Sequence, residues 1–231
     1  GIASIVMAKL HSQGLFDYDD KICEYWPEFS QNGKENITIK QLLSHQAGLV
    51  LLEEPLSINQ LSDFDNTASV IAKAKPLWKP GSYQGYQATT VGFYLGELVR
   101  RFDVKNRSLG TYFHEELAVP LDLDFYIGLP DTVENDKIAK INMINPVLAL
   151  FNIKKMPKGI RKVMLNVHSL FFKSMSLVKG YHPNKRQTWQ VEQPSGNGIG
   201  TAKSLAKLYG SIVHDKERLG ITENTFELLI A

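Results

Sequence analysis

Apolar side chains recur at three- and four-residue spacing along most of the chain, and this pattern predicts a helix-dominated protein. The predicted helices span residues 2–13, 39–45, 67–75, 91–99, 109–117 and 202–213. Few segments show the strict alternation that is typical of a half-buried strand. Residues 49–66 and 176–198 have loop-like sequences, and loops of that length are uncommon unless they serve a site.

Several of these helices carry end signals in the sequence. Thr38 and Thr201 stand where an N-cap residue is needed, and Gly14 follows the first helix as a C-cap glycine. No Ser, Thr, Asp or Asn precedes Ile2 to cap the first helix, so we expect this helix to be truncated at its N-terminus. We expect the native chain to extend upstream, so any targeting segment is missing from the sequence and the compartment stays unknown.

Composition narrows the class of protein. The chain has 231 residues, of which 43% are hydrophobic, as expected for one large globular domain or two small ones. No apolar run reaches the roughly 18 residues of a spanning helix, and a net charge of +2 gives no sign of nucleic-acid binding. The single cysteine, Cys23, excludes an intrachain disulfide and leans weakly toward a reducing, intracellular compartment. The histidines are scattered, so we expect no metal site and no cofactor.

Charge is unevenly distributed along the chain. Residues 137–191 contain eleven Lys and Arg and no Asp or Glu, so the rest of the chain is net acidic. One interpretation is a solvated, variable insertion, and the other is a surface at 154–173 that contacts anionic membrane. Six apolar residues here fit one helical face, which we expect to be buried core: Ile160, Val163, Met164, Val167, Leu170 and Phe171.

Two residues stand out as candidates for chemistry. Tyr86 lies between a Pro-Gly turn and a helix, where a tyrosine is either a packed aromatic residue or a proton carrier. His45 ends a short helix, and we expect a structural role in which it bonds a carbonyl or complements the helix dipole. Ser-x-x-Lys, a pattern in which the lysine can activate the serine, begins at Ser176 and at Ser204. Chance alone predicts about one such match in this composition, and we interpret both as decoys.

The segment 36–49, NITIKQLLSHQAGL, resembles the ITIRQLLSHTSGL signature of the serine β-lactamase-related family of class C β-lactamases, penicillin-binding proteins and esterases. Other pieces match that family in order. They are GLFDYDD at 14–20 with YWPEF at 25–29, WKPG at 78–81 with Gly85-Tyr86, the helix at 92–100, and NGIGTA at 197–202. The matching pieces cover about 1–125 and 195–213.

The resemblance implies three catalytic elements, of which this sequence carries one. Tyr86 matches the tyrosine of the Tyr-x-Asn element and would act as general base and acid, whereas Ala88 replaces its asparagine. Loss of that amide suits an ester better than a β-lactam or peptide. The Ser-x-x-Lys nucleophile is expected before Gly1, and the Lys-x-Gly or His-x-Gly strand is expected beyond residue 231.

These observations predict an α+β fold of the β-lactamase/transpeptidase type, with residues 1–231 forming mainly its helical subdomain with few strands. The predicted function is a serine hydrolase that acts on small-molecule esters or amides through an acyl-serine, although this chain alone is expected to be inactive. The alternative is a non-catalytic family member that acts as a binding or scaffolding protein. Residues upstream of Gly1 would separate the two, and the oligomeric state stays unknown.

Overall fold

The computed structural model of the protein describes residues 1–142, 155, 157–164, 166, 168–175 and 177–230, with the backbone alone at 160, 163 and 164. The α-helices are α1 (Ile2–Ser12), α2 (Ile22–Tyr25), α3 (Ile39–Leu43), α4 (Ile58–Leu61), α5 (Phe64–Ala72), α6 (Thr90–Phe102), α7 (Leu109–Phe113), α8 (Lys158–Met164), α9 (Leu170–Met175), α10 (Arg186–Gln190), α11 (Ala202–His214) and α12 (Glu223–Ile230). Single 3₁₀ turns lie at Pro27–Phe29, Asn135–Lys137 and Lys216–Leu219, and a π-helical turn at His114–Ala118 extends α7.

The strands of the described residues are short and form two small sheets. β1 (Leu56–Ser57) pairs in parallel with β3 (Val178–Lys179), and β2 (Phe125–Tyr126) pairs in antiparallel with β4 (Ile199–Gly200). Leu56 lies opposite Val178, and Phe125 lies opposite Gly200. Each sheet joins a distant part of the chain to the second half, so the sheets tie the helices together rather than form a layer of their own.

Helix α1 is the centre of the hydrophobic core. Most of its side chains are buried, including Val6, Met7 and Leu10, because α6, α7 and α12 pack around it. Its end confirms the predicted cap, since Gly14 adopts φ +72° just after the helix. A second, aromatic part of the core joins Trp26 and Tyr94, whose ring centroids are 6.3 Å apart, and anchors α6 near the site described below.

Several predicted element boundaries need correction. The segment 49–66 is not a continuous loop, because it holds β1, α4 and the start of α5. Ser57 and Gln60 form a reciprocal capping box at the start of α4, in which each side chain bonds the other residue's backbone N–H. The segment 176–198 likewise contains β3 and α10. By contrast, Thr38 and Thr201 cap α3 and α11 as predicted.

The prediction of one buried apolar helix face across 160–171 is wrong. The chain forms two separate helices here, α8 and α9, so the first and last members of the face lie on different elements. Leu170 and Phe171 are exposed rather than buried. Val167 lies outside the described residues, as do the side chains of Ile160, Val163 and Met164.

Candidate active site

The loop that carries Tyr86 rests on the segment that follows α3. Three backbone bonds join the two: the N–H groups of Leu77, Gly81 and Gly85 donate to the carbonyl groups of Gly48, Gln46 and His45, at 3.0, 3.0 and 2.9 Å. The segment turns sharply to make these bonds, with φ +60° at His45 and +75° at Gly48. Because each bond spans more than 25 residues of chain, the position of the loop is set by tertiary structure.

The packing of Gly85 against Trp78 explains why the sequence has a glycine at position 85. A Cβ at Gly85 would lie 2.3 Å from the Trp78 ring, so only glycine lets the loop close over the indole. The indole N–H donates to the carbonyl oxygen of Tyr83 at 3.1 Å and fixes the middle of the loop. Tyr86, which follows Gly85, therefore extends from a turn that these contacts hold in place.

Tyr86 projects from this turn into solvent. Its side chain is 73% exposed, which contradicts the interpretation of a packed aromatic residue. Its ring contacts the imidazole of His45, which lies edge-on at a centroid distance of 4.9 Å. A tyrosine that is exposed on a braced loop can exchange a proton with a group that approaches it.

His45 holds the Tyr86 segment in place. Its Nδ1 accepts the backbone N–H of Gln87 at 3.3 Å, and its own carbonyl oxygen accepts from Gly85. Burial lowers the pKa of the His45 imidazole, and the side chain of Gln87 partly opposes that shift. The predicted structural role agrees with this geometry, although the ring bonds the Tyr86 loop rather than a helix carbonyl. Nδ1 must be unprotonated to accept this bond, so the neutral imidazole is the form that braces the site.

The start of α6 is fixed by residues from the other end of the chain. Ser195 Oγ accepts the N–H of Gly92 at 2.8 Å and donates to the carbonyl oxygen of Thr89 at 3.0 Å. Gly92 has no room for a Cβ, which would lie 2.6 Å from Ser195. Thr89 Oγ1 donates to the carbonyl oxygen of Ser174 at 2.9 Å, so α9 is tied to the same point.

A cavity of about 260 Å³ opens beside Ala88, two residues after Tyr86. Its lining includes Ala88, Thr89, Val178, Tyr181, Gln193 and Ser195. A larger cavity of about 440 Å³ shares Tyr181 and Gly196 with it and continues toward Trp189 and β4. Ala88, two residues after Tyr86, thus lines a cavity that can hold a small organic group, and a larger cavity lies next to it.

Known proteins share the sequence and the fold of this chain. The Beta-lactamase family model matches residues 1–230. The chain belongs to the Beta-lactamase family. It is 31% identical over 232 residues to the esterase/beta-lactamase LipL of Mycobacterium tuberculosis (strain ATCC 25618 / H37Rv), a match that covers 99% of this chain and 52% of LipL.

Solved structures of family members have the same fold. A penicillin-binding protein homologue from Caulobacter crescentus is 33% identical with a TM-score of 0.72, over 98% of this chain and 57% of that one. A family VIII carboxylesterase is also 33% identical, with a TM-score of 0.71, over 92% of this chain and 53% of that one. The resemblance to the serine β-lactamase-related group is confirmed, as is a β-lactamase/transpeptidase-like fold that is here rich in helix and poor in strand. The chain spans about half the length of these relatives.

Two of the sequence pieces that matched the Beta-lactamase family, 36–49 and 78–81 with Gly85, lie against each other. The 36–49 signature provides the segment that follows α3, and the Trp-x-Pro-Gly piece provides the loop that rests on it. Ser195, just before the 197–202 piece, caps α6. These contacts give a physical reason for motifs that are far apart along the chain.

The structure describes the serine of only one of the two Ser-x-x-Lys matches. Ser204 lies in the first turn of α11 and is buried, and its Oγ bonds Thr201 Oγ1 and the N–H of Asp124 at 2.9 Å each. With its hydroxyl held in these bonds, Ser204 is a structural residue, in agreement with its interpretation as a decoy. Ser176 lies outside the described residues.

The described residues hold neither a cluster of metal ligands nor a membrane-spanning helix. No group of three or more His, Cys, Asp and Glu among them is arranged to hold a metal ion. In the same part of the chain, no helix is both long enough and apolar enough to cross a bilayer.

Sequence reasoning missed the residues that build the site around Tyr86. Ser195 was not singled out, because its contacts with Gly92 and Thr89 span about a hundred residues of chain. Gln193 was not singled out either, because the burial of a glutamine cannot be read from the sequence. The Pro-Ser-Gly sequence at 194–196 is a turn signal that marks the segment, but it does not reveal its partner. Trp78 and Gly85 were identified only as parts of the family resemblance, and the structure adds the steric reason for the glycine.

Proposed function

We propose that this chain supplies the general acid/base of a serine hydrolase that transfers acyl groups from small-molecule esters or amides. The observation that carries the proposal is the exposed Tyr86 on a loop braced by His45 and Trp78, with Ala88 of the same segment lining a cavity of about 260 Å³. The names of LipL and of the carboxylesterase support ester chemistry. Ala88 supports it further, because it offers no side-chain hydrogen bond to a substrate amide.

In the proposed reaction the nucleophile is a serine from the Ser-x-x-Lys element that the family resemblance implies before Gly1. Tyr86, as its phenolate, accepts the proton of the serine hydroxyl while the serine oxygen bonds to the acyl carbon. Tyr86 then returns this proton to the leaving alcohol or amine as the original ester or amide bond breaks. In the second half, Tyr86 accepts a proton from water, which attacks the acyl-serine, and returns it to the serine oxygen.

The test combines covalent labelling with turnover in the full-length protein. A fluorophosphonate should modify one serine upstream of residue 1, and 4-nitrophenyl butanoate should be hydrolysed faster than a chromogenic cephalosporin. The 231-residue chain alone should show neither reaction. Absence of both labelling and turnover in the full-length protein would favour the non-catalytic, binding alternative, and labelling at Ser204 would contradict the assignment of the nucleophile.

A second proposal is that the segment 154–173 places the protein on anionic membrane, where lipid-like esters would be available. Leu170, Phe171 and Lys173 on α9 are exposed, and Lys158 and Lys162 on α8 are exposed as well. None of the described lysines between 155 and 179 lies within 4 Å of a carboxylate, so their charge is available to a partner. Basic residues near an anionic bilayer contribute about 1 kcal/mol each.

Vesicle co-sedimentation tests this second proposal. Binding to vesicles with anionic lipid should exceed binding to neutral vesicles, should fall as salt rises, and should be lost in the Lys158→Glu/Lys162→Glu variant. A variant with the same charge change elsewhere on the surface, Lys105→Glu/Lys203→Glu, should retain binding. Equal loss in the two variants, or no preference for anionic lipid, would contradict the proposal.

A further inference from the structure

Gln87 directly follows Tyr86 and is fully buried. Its backbone N–H donates to Nδ1 of His45 at 3.3 Å, and its side-chain Nε2 donates to the carbonyl oxygen of Leu49 at 3.2 Å. Its side-chain oxygen Oε1 is also buried but has no hydrogen-bond partner among the described residues. Gln87 thus contains both the donor that the neutral imidazole binds and an acceptor that is unused.

The partner that fits the unused oxygen is the same imidazole in its charged form. An unpaired buried acceptor destabilises a folded protein, so its presence calls for a donor. The Gln87 side chain lies close enough to the His45 ring to favour protonation, and so it partly offsets the lowering of the His45 pKa by burial. A charged imidazole has an N–H on each ring nitrogen and can donate to this oxygen.

The surroundings of the His45 ring leave Gln87 as the group that responds to its charge. No Asp, Glu, Lys or Arg of the described residues contributes to the shift in the His45 pKa. Tyr86, on the loop that rests against the ring, is the titratable side chain in ring contact with it. The proton that His45 takes up and the free oxygen of Gln87 are therefore complementary.

Protonation of His45 exchanges one hydrogen bond for another. In the imidazolium, Nδ1 carries a hydrogen and no longer accepts the Gln87 N–H. We infer that Gln87 Oε1 accepts a hydrogen bond from the protonated His45 ring, and that Gln87 is a positioning residue that holds Tyr86 in its working orientation only while His45 is neutral. The consequence for turnover rests on the proposed function, because it requires Tyr86 to transfer the proton.

Tyr86 lies between two backbone groups that His45 holds, and only one of them depends on the charge of the ring. The N–H of Gly85 donates to the His45 carbonyl oxygen at 2.9 Å, a bond in which the ring takes no part. The N–H of Gln87 donates to the ring itself. Protonation therefore releases the backbone after Tyr86 while the backbone before it stays in place, so the orientation of the exposed tyrosine should change.

NMR of the full-length protein with ¹⁵N-labelled histidine tests the proposed hydrogen bond. The His45 signal, assigned by its loss in His45→Gly, should titrate at a lower pH in Gln87→Met than in the wild type, because the charged ring loses its acceptor. In Gln87→Glu it should titrate at a higher pH, because a carboxylate favours the charged ring more than an amide does. Gln84→Met, at an exposed position on the same loop, should keep the wild-type titration.

Gln87→Met removes the acceptor with little other loss. The Leu49 carbonyl oxygen loses the Gln87 Nε2 bond but stays paired, because Thr90 Oγ1 also donates to it at 2.6 Å. Since Gln87→Met and Gln87→Glu shift the titration in opposite directions, either variant alone is sufficient if the other does not fold.

Hydrogen exchange of two backbone amides tests the change of partners in the wild type. As the pH falls below 6.5 and His45 becomes protonated, the protection factor of the Gln87 N–H should drop about tenfold, the ratio for one lost hydrogen bond. The Gly85 N–H should keep its protection, because its acceptor is the His45 carbonyl oxygen.

The pH profile of ester turnover tests the positioning role. The ratio of kcat/KM for Gln87→Met to that of the wild type should rise as the pH falls below 6.5, because the variant keeps His45 neutral to a lower pH. The same ratio for Gln87→Glu should fall over this range. The titration of Tyr86 itself is common to all three proteins and cancels in these ratios.

Three results would overturn the inference. A His45 titration that neither Gln87 variant shifts would contradict the hydrogen bond, and equal loss of protection at Gln87 and Gly85 would contradict the change of partners. Ratios of kcat/KM that are flat with pH would contradict the positioning role. A protein that shows the predicted titrations and amide exchange but never hydrolyses an ester would contradict the proposed function and leave the exchange of hydrogen bonds standing.

Discussion

Replacement of His45 with alanine should destabilise the protein by about 2 kcal/mol. The ring nitrogen Nδ1 accepts the N–H of Gln87, a fully buried residue, at 3.3 Å. Leaving a buried donor unpaired costs about 1–3 kcal/mol. The backbone contributes the remainder, because φ is +60° at His45 and histidine tolerates the left-handed region better than alanine does.

Glycine at the same position separates the two contributions. His45→Gly also loses the hydrogen bond, but glycine adopts a positive φ without strain and should recover about 0.5–1 kcal/mol relative to alanine. The stability order should be wild type, then glycine, then alanine, measured by urea unfolding with the linear extrapolation. His214→Ala, at the exposed end of α11, is the matched control and should change stability by less than about 0.5 kcal/mol.

The pH dependence of these variants provides a second test. Burial lowers the pKa of His45 below its unfolded value of 6.5, so the unfolded chain binds the proton more readily than the folded one. The stability due to neutral His45 is therefore present above pH 6.5 and is lost as the pH falls below that value. The wild-type minus His45→Gly difference should decrease on acidification, and His11, which is common to both proteins, cancels. A difference that is flat with pH, or an alanine variant as stable as wild type, would refute the bracing role of His45.

Three other changes test parts of the fold and site. Lys34 is fully buried, and burial lowers its pKa from 10.5 to about 8, so the stability difference between wild type and Lys34→Met should rise as the pH increases between those values. Gly85→Ala should lower the free energy of unfolding by about 1–3 kcal/mol, because the added methyl group meets the Trp78 ring. Gly96→Ala on α6 should raise it by about 0.5–1 kcal/mol, because the added methyl group meets no atom within 4 Å. Chemical unfolding measures both changes. Ser204→Ala should lower stability by about 1–2 kcal/mol and leave ester turnover by the full-length protein unchanged, and a loss of turnover without a loss of stability would contradict its structural role.

Local sequence signals predicted the parts of the fold that depend on neighbouring residues. Thr38 with Gln41 and Thr201 with the following turn cap their helices, and Gly14 ends α1 in the left-handed region. These features were readable because each is decided within about four residues. The wrong prediction of one helical face across 160–171 also comes from reliance on local pattern. The apolar periodicity continues across the break between α8 and α9, so it does not reveal that there are two helices.

The arrangement of the site could not be derived from local patterns. Tyr86 was found as a candidate, but its exposure and its brace depend on His45, which lies about forty residues earlier. Gln193 gave no signal at all, because an amide is conspicuous only when its burial and its missing partner are known together. The family resemblance indicated which sequence pieces belong to one site. The structure then showed the contacts that hold those pieces together.

The kinetics of Tyr86→Phe in the full-length protein, compared with Tyr83→Phe, test the central claim most directly. Both tyrosines are exposed, at 73% and 70%, and lie on the same braced loop, so neither change should alter stability measurably. If Tyr86 carries the proton, its replacement should lower the acylation rate by about 10²–10⁴-fold, whereas Tyr83→Phe should remain near the wild-type rate. Similar rates for Tyr86→Phe and wild type, or an equal loss in both variants, would contradict the assignment of Tyr86 as the general acid/base.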